Sequence, residues 1–187
     1  MGIEWIEQAA DVQRVKDSIV TLFNESTLEE GMIGYAQPLS AAEAADLVDG
    51  IQGSLARGSG RMLLVTDADG PCGIVLIETN AAHNSRHVAT MKRGYISPRA
   101  RGGGLLARGL MSIVEKARSL NVEQLALDTR EGSKAHQIWS HLGFQTWGVM
   151  PDYSRYNGVA YRGCYMSQSV DALEEQIMRR IKGEANA

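Results

Sequence analysis

The stretch Arg99-Ala100-Arg101-Gly102-Gly103-Gly104-Leu105 holds the residue types and spacing best suited to chemistry. It follows a run with strand character and opens one with helical character. Glycines at 102, 103 and 104 let backbone N–H groups come close to a ligand, and a helix start adds partial positive charge. Arg99 and Arg101 supply two full charges. Such a turn suits phosphate; a tight turn without a ligand is the plain alternative. Letter by letter, Gly102-x-Gly104-x-x-Ala107 also fits a dinucleotide fingerprint, with Asp128 at a strand end where a ribose-binding acid would stand. Against that reading, an antiparallel hairpin and a meander precede the turn, and only about 60 residues remain after Asp128 for a second half. A Walker A loop is excluded, because no Gly-Lys-Ser/Thr follows.

Charge supports a small polyanion over nucleic acid. The chain carries a formal net charge of −3. No acidic residue falls between Glu78 and Glu115, a window that holds Arg86, Lys92, Arg93, Arg99, Arg101 and Arg108. An acidic protein thus gathers its basic residues around the glycine turn. Other chemistries find little support. Cys72 and Cys164 have no Cys or His at ligand spacing, and are expected as small buried residues. The pairs His83 and His87, and His136 and His141, lack a third ligand, so no metal is expected.

Elements must position the turn. Ile3–Ile6 is a short strand, and Asp11 caps a helix with Val12, Val15, Ile19, Leu22 and Phe23 on one stripe. Ser40 with Glu43 forms a capping box before a second helix carrying Ala44, Leu47, Val48, Ile51 and Leu55. Between them, Glu25–Leu39 is a loop and a candidate substrate wall. Arg61–Thr66 and Cys72–Glu78 form a hairpin about a turn at Asp67-Ala68-Asp69-Gly70-Pro71, and His87–Ile96 is the strand entering the glycine turn. The next helix shows Leu106, Leu110, Ile113, Ala117 and Leu120 on one face. Val122–Thr129 is a strand, Ser133–His141 a short helix closed by Gly143, and Phe144–Val149 and Val159–Met166 are strands joined by a loop Pro151–Gly158. Asp171–Ile181 is a terminal helix with Leu173, Ile177 and Ile181 on one side.

This order predicts an α+β (mixed α/β) fold with a central sheet flanked by helices. A chain of 187 residues, 44% apolar and 22% charged, suits one soluble domain over residues 1–187, with an extra C-terminal helix at about 171–183. No apolar run is long enough to span a membrane, and no cationic-then-apolar segment opens the chain. Ile6 stands where a myristoylation site would need Ser or Thr. A cytoplasmic location is expected.

Arg99-x-x-Gly102-x-Gly104 resembles the (Gln/Arg)-x-x-Gly-x-(Gly/Ala) signature of the GNAT acetyltransferase superfamily. Tyr95-Ile96-Ser97-Pro98 looks like the strand end that precedes that family's pyrophosphate loop. Ala135-x-x-x-Trp139-x-x-x-Gly143-Phe144 resembles its Ala-x-x-x-Tyr-x-x-x-Gly-Phe segment, and the element order agrees over about residues 3–166. The resemblance implies the GNAT acyl-CoA N-acyltransferase fold, with a mixed, mostly antiparallel sheet. Within the family the chain is most similar to small-molecule resistance enzymes, such as tabtoxin-resistance and streptothricin acetyltransferases, at Leu127–Ser133 and Met150-Pro151-Asp152-Tyr153.

The resemblance implies acetyl-CoA as co-substrate. Its pyrophosphate would meet backbone N–H groups from Arg101 to Leu106, including Gly102, Gly103, Gly104 and Leu105, with Arg99 and Arg101 adding charge. Tyr95 and Ile96 would hold the pantetheine arm and polarise the thioester through their backbone. Ser133, beside Gly132 where the family's asparagine stands, is a further cofactor candidate. The expected reaction is direct attack by a neutral amine, which must first lose a proton. Asp128 is the leading base, ahead of Glu78, His87 and Glu131; its alternative role is capping the turn into the next helix. The family's acid, a tyrosine, is replaced by Trp139, whose indole N–H is not a usable acid. Tyr153 or Tyr156 can substitute or line the acceptor pocket. The expected acceptor is a small-molecule amine, with protein lysine or N-terminal acetylation and a non-catalytic CoA-binding module as alternatives. Dimerisation is common in the family, and the terminal helix is a candidate for a homodimer contact.

Overall fold

The computed structural model describes residues 2–29 and 33–184. The chain groups into two compact units, one of Met1–Thr79 with Met91–Gly109 and one of Asn80–Thr90 with Leu110–Ala187. Seven strands follow the hydrogen-bonded order β1-β2-β3-β4-β5-β7-β6. This is the mixed, mostly antiparallel sheet the sequence predicts.

In the first unit, β1 (Gly2–Ile6), β2 (Gly60–Asp67) and β3 (Gly70–Thr79) pair antiparallel, with Ile3 opposite Val65 and Leu63 opposite Val75. Two helices, α1 (Ala9–Thr27) and α2 (Ala41–Ala56), bury their apolar stripes in this unit's core. Val12, Ile19, Leu22 and Phe23 from α1 join Leu47, Ile51 and Leu55 from α2, over Met62, Leu64, Ile74 and Leu76 of the strands. Burial of such side chains contributes roughly 1.5–3 kcal/mol each.

The capping box of α2 forms as expected: the Glu43 N–H donates to Ser40 Oγ, and Glu43 accepts from the Ser40 N–H at 2.8 Å. Asp11 does not cap α1. That helix starts three residues earlier with Gln8 at the N-cap, leaving Asp11 in the first turn, where a carboxylate favours the helix dipole. Between β2 and β3, the Asp69 N–H donates to the Asp67 carboxylate at 2.9 Å, and Gly70 takes φ +113°. This is the side-chain-supported turn expected of that cluster.

In the second unit, Val88–Thr90 of β4 (Val88–Ile96) run parallel to Gln124–Ala126 of β5 (Gln124–Arg130). Strand β5 pairs antiparallel with β7 (Val159–Ser169), which pairs antiparallel with β6 (Gln145–Tyr156). The chain also forms α3 (Leu105–Ser119), α4 (Lys134–His141) and α5 (Val170–Glu184). On α3 the buried positions are Leu105, Leu110, Ile113, Val114 and Ala117; Leu106 and Leu120, expected on this face, are half-buried. On α5, Leu173 and Ile177 are buried but Ile181 is 41% exposed, so the apolar side ends one turn early.

The largest departure from expectation is β6. Instead of ending at Val149, it continues to Tyr156. A register shift between Met150 and Ser154 absorbs Pro151-Asp152-Tyr153 as a bulge, the arrangement that lets a proline sit within a strand. Asn157 (φ 49°) and Gly158 (φ 76°) then make a two-residue turn. Asn-Gly favours this tight hairpin because both positions need positive φ. Cys72 and Cys164 are buried and free. Among the described residues, no helix is long and apolar enough to cross a membrane.

Candidate functional site

The glycine turn lies between a short 3-10 turn at Pro98–Ala100 and the first residue of α3. Gly102 (φ +83°) and Gly104 (φ +71°) occupy the left-handed region, which explains two of the three glycines. Gly103 is different: its φ is not in that region, and a Cβ added there would meet nothing within 4 Å. Packing therefore does not demand a glycine at 103. Added Cβ atoms at 102 and 104 likewise meet open space. The Arg108 N–H already donates to the Gly104 carbonyl at 3.1 Å, leaving the N–H groups just before it as the orphan donors of the helix start. Free space over glycine backbone at a helix N-terminus fits the pyrophosphate of a CoA molecule.

The charges around the turn differ from expectation. The Arg99 guanidinium forms an ion pair with Asp67 and donates to the Pro71 carbonyl at 2.7 Å. Arg101 grips Glu29 through two hydrogen bonds of 2.8 and 2.7 Å, and its Nε donates to the Ile96 carbonyl at 3.0 Å. Lys92 pairs with Glu78 at 2.5 Å. The window free of acids in sequence is thus supplied with carboxylates by the fold, which brings in Glu29 from 72 positions away. No local pattern marks Glu29 or Asp67 as these partners.

Tyr95 is 6% exposed and packs in the core of the first unit. Its hydroxyl donates to Glu29 at 3.0 Å, and burial together with that hydrogen bond pushes its pKa up. Arg101 also lies over its ring, 5.8 Å from the centroid. Ser97 is buried, its Oγ donating to Glu25 at 2.7 Å and its N–H to the Cys72 carbonyl at 2.9 Å. The end of α1 is therefore latched onto the segment leading into the turn. The Tyr95 side chain is thus taken up, which leaves its backbone to meet a ligand, and the Ile96 carbonyl already accepts from Arg101.

In the second unit, Asp128 and Tyr153 come together. The Tyr153 hydroxyl donates to Asp128 Oδ2. Asp128 sits on β5 opposite Tyr165 of β7, and Tyr153 reaches it from the β6 bulge. Glycine at 163 makes this possible, because a Cβ there would lie 2.1 Å from the Tyr153 ring. Tyr165 meets Tyr153 edge-on at 6.3 Å, and Trp147 packs on Tyr165 at 5.6 Å. Burial, then the Asp128 hydrogen bond and charge, push the Tyr153 pKa above its ordinary value.

The alternative capping role of Asp128 is overturned: the N-cap of α4 is Ser133, whose Oγ accepts from the His136 N–H at 3.1 Å. Ser133 Oγ also lies 3.4 Å from the Thr129 hydroxyl. Two of the other base candidates are engaged by cations. Glu131 forms an ion pair with Arg162 at 2.8 Å, and Glu78 bonds both Lys92 and the Ser54 hydroxyl, the latter at 3.1 Å. His87 is exposed, and its carbonyl accepts from the Glu123 and Gln124 N–H groups. Tyr156 sits at the end of β6 opposite Val159. Among the described residues, no group of three His, Cys, Asp or Glu side chains is placed to hold a metal ion.

A cavity of about 220 Å³ lies within the first unit. Leu47, Ile51 and Leu76 give it apolar walls, and Asp46, Glu78, Lys92 and Arg93 supply charge. Of the candidate substrate wall Glu25–Leu39, Tyr35 lines this cavity; residues 30–32 lie outside the described residues. Nothing in Pro151–Gly158 does so.

No protein-family model matches the chain. Its fold, however, is similar to that of solved acetyltransferases. A ribosomal-protein-alanine N-acetyltransferase from Brucella melitensis superposes with a TM-score of 0.69 at 18% identity, over 90% of this chain and 99% of that one. A protein assigned as a phosphinothricin N-acetyltransferase gives the same values. The yncA protein of Salmonella typhimurium, solved with its cofactor acetyl-CoA, matches with a TM-score of 0.68 at 18% identity, over 91% and 94% of the two chains. The fold is that of the GNAT acetyltransferases.

A GNAT sheet decides between the two readings of the glycine turn at the level of architecture. The antiparallel pairs β1-β2, β2-β3, β5-β7 and β6-β7 rule out the doubly wound parallel sheet that a dinucleotide fingerprint serves. Trp139, standing where the GNAT pattern resembled here has tyrosine, is half-buried on α4 and packs edge-on against Phe144 at 5.1 Å. It serves as a packing residue there.

Proposed function

We propose that this chain is an N-acetyltransferase that moves the acetyl group of acetyl-CoA to the amine of a small molecule, in the manner of the resistance enzymes its sequence resembles. One observation carries the reading: Gly103 has free space over its backbone and no packing reason to be glycine, at the entry to α3. Amides from Gly102, Gly103, Gly104, Leu105 and Leu106 are assigned to the pyrophosphate, the Arg101 N–H being already given to the Pro98 carbonyl at 3.2 Å. The pantetheine arm is assigned to the backbone at Tyr95 and Ile96, and Ser133 is retained as a lesser contact. Arg99 and Arg101 act chiefly by holding the turn in shape, since Asp67 and Glu29 engage their charge.

Acetyl-CoA supplies an activated thioester. An alkyl amine with a pKa near ~10 arrives as ammonium and must give up a proton before it attacks. Asp128, exposed on β5, is assigned that proton. Tyr153 holds the carboxylate in place. A phenol whose pKa is raised keeps its proton at neutral pH, so Tyr153 donates a hydrogen bond and is a poor source of a proton. With Trp139 also unable to serve, water is the proton source for a thiolate whose conjugate acid has a pKa of about 8.5.

The small-molecule acceptor is supported by the cavity of the first unit and by the likeness to a protein assigned as a phosphinothricin N-acetyltransferase. Trp139 favours a second reading, a CoA-binding module without turnover. Thermal stabilisation by acetyl-CoA and by NAD(H), followed by thiol release against a panel of amines and short peptides, tests both. Stabilisation by acetyl-CoA with amine-dependent thiol release is the expected result. Binding without release from any acceptor would favour the module, and stabilisation by NAD(H) alone would overturn the CoA assignment.

A further inference from the structure

We propose that the cavity of the first unit binds the acceptor and selects a small amine that also carries a carboxylate, with Arg93 as the carboxylate-binding residue. This rests on the acetyltransferase reading and narrows its substrate class.

Charge bookkeeping within the cavity points to Arg93. Four charged side chains line it, Asp46, Glu78, Lys92 and Arg93. Lys92 and Glu78 pair at 2.5 Å, Glu78 takes a further hydrogen bond from Ser54, and the Arg93 charge acts on Glu78 without an ion-pair contact. Among the described residues, Arg93 forms no ion pair or hydrogen bond, and neither does Asp46. What steadies the Arg93 guanidinium is the face of the Phe23 ring, 5.6 Å away at the centroid. An aromatic face orients a guanidinium without using its N–H donors. The cavity therefore keeps a planar donor fork, the geometry that binds a carboxylate through two parallel hydrogen bonds.

The backbone adds a second observation. Arg93 has φ 55° inside β4, a left-handed conformation that is uncommon for a residue with a side chain and is held only where the surroundings demand it. Asp46 sets the opposite sign at the same cavity, so a lone anion meets repulsion there while a zwitterion finds a match for each charge. Size agrees: about 220 Å³ with walls of Leu47, Ile51 and Leu76 suits an amino-acid-sized molecule. In the reaction the ammonium loses one proton before attack, the N–C bond forms as the C–S bond breaks, and the second proton leaving the acylated nitrogen passes through water to the departing thiolate.

The test compares several amino acids, their amides and their decarboxylated amines as acceptors at saturating acetyl-CoA. The acids are expected to exceed both neutral-tailed series about 10- to 100-fold in kcat/KM, mainly through KM. Arg93→Gln is expected to bring the ratio of acid to amine close to one, and Arg93→Lys to restore part of it. Equal use of acids, amides and amines by the unaltered protein would overturn the proposal, as would an Arg93→Gln variant that keeps the preference. A binding arm without acetyl-CoA reads the cavity alone: amino acids should raise the melting temperature, their amides should not, and Arg93→Gln should lose the shift. If no amine releases thiol but this binding pattern appears, the acetyltransferase reading fails while the carboxylate site stands. If the amides stabilise as well as the acids, the carboxylate site fails.

Discussion

The hydroxyl of Tyr153 donates to the carboxylate of Asp128, joining two residues that lie 25 positions apart in sequence. Strand register produces the contact. Asp128 faces Tyr165 across the β5-β7 ladder, and the irregular stretch between Met150 and Ser154 brings Tyr153 back over glycine 163. A carboxylate fixed by one hydrogen bond and otherwise open to solvent has lone pairs to spare for an incoming ammonium.

Replacing Asp128 by Asn is expected to lower kcat by about 10²–10⁴, the span associated with a positioned base, without changing acetyl-CoA affinity. Tyr153→Phe should have a smaller effect of about tenfold, because the carboxylate remains but is no longer held. Steady-state kinetics beside calorimetric titration of CoA separates the two quantities. A loss of CoA affinity in either variant would move these residues out of the proton-transfer role.

The glycine turn yields a sharper pair of variants. Gly103→Ala puts a methyl group into open space at a φ outside the left-handed region, so its melting temperature should match that of the unaltered protein while CoA affinity falls at least tenfold. Gly104→Val should abolish CoA binding and also cost stability, roughly 1–2 kcal/mol, for forcing a branched residue to φ +71°. Full CoA affinity in Gly103→Ala would remove the phosphate cradle.

Acid stability follows from the ion pairs. Asp67 is held below the usual carboxylate range chiefly by the Arg99 hydrogen bond, Asp152 by Arg155, and Glu43 by the Ser40 hydroxyl. Groups lowered in this way stabilise the fold fully above their unfolded pKa of about 4, and the contribution fades as pH falls through the folded values. Melting temperature should therefore drop between about pH 4 and pH 2, and Asp67→Asn should flatten that part of the curve. Tyr95 and Tyr153 are shifted the other way. Their contribution holds through neutral pH and is lost only as pH rises beyond about 10.

Gly163→Ala tests the seat of Tyr153. Its methyl group would collide with the ring at 2.1 Å, so the ring must leave or the strands must part. Overpacking of this kind costs about 1–3 kcal/mol, and turnover should fall with it. A double variant, Gly163→Ala with Tyr153→Phe, should be no slower than Gly163→Ala alone if the hydroxyl is already displaced.

Features encoded within a few neighbouring residues were legible in the sequence. The Ser40 and Glu43 capping box, the glycine turn before α3 and the buried stripe of α1 all depend on spacings shorter than two helical turns. The β6 hairpin carried its own local marker, Asn157-Gly158, which outweighs the proline that suggests a loop. Long-range pairing left no such trace. Arg101 with Glu29 and Arg99 with Asp67 lie 72 and 32 positions apart, so a basic run in sequence said nothing about charge in space. The cavity gathers α2, β3 and β4, and that Arg93 and Asp46 are the two of its charges without an ion pair emerges only once these elements are in place.

Gly163 also has a consequence for how this protein varies through descent. Positions 128, 153 and 163 form a lock in which an absent side chain is as necessary as the two that are present. A lineage that gains a side chain at 163 loses the reason to keep tyrosine at 153, and with it the hold on Asp128. The three positions should therefore persist or disappear together, so that their joint pattern tracks retention of this site better than any one of them alone.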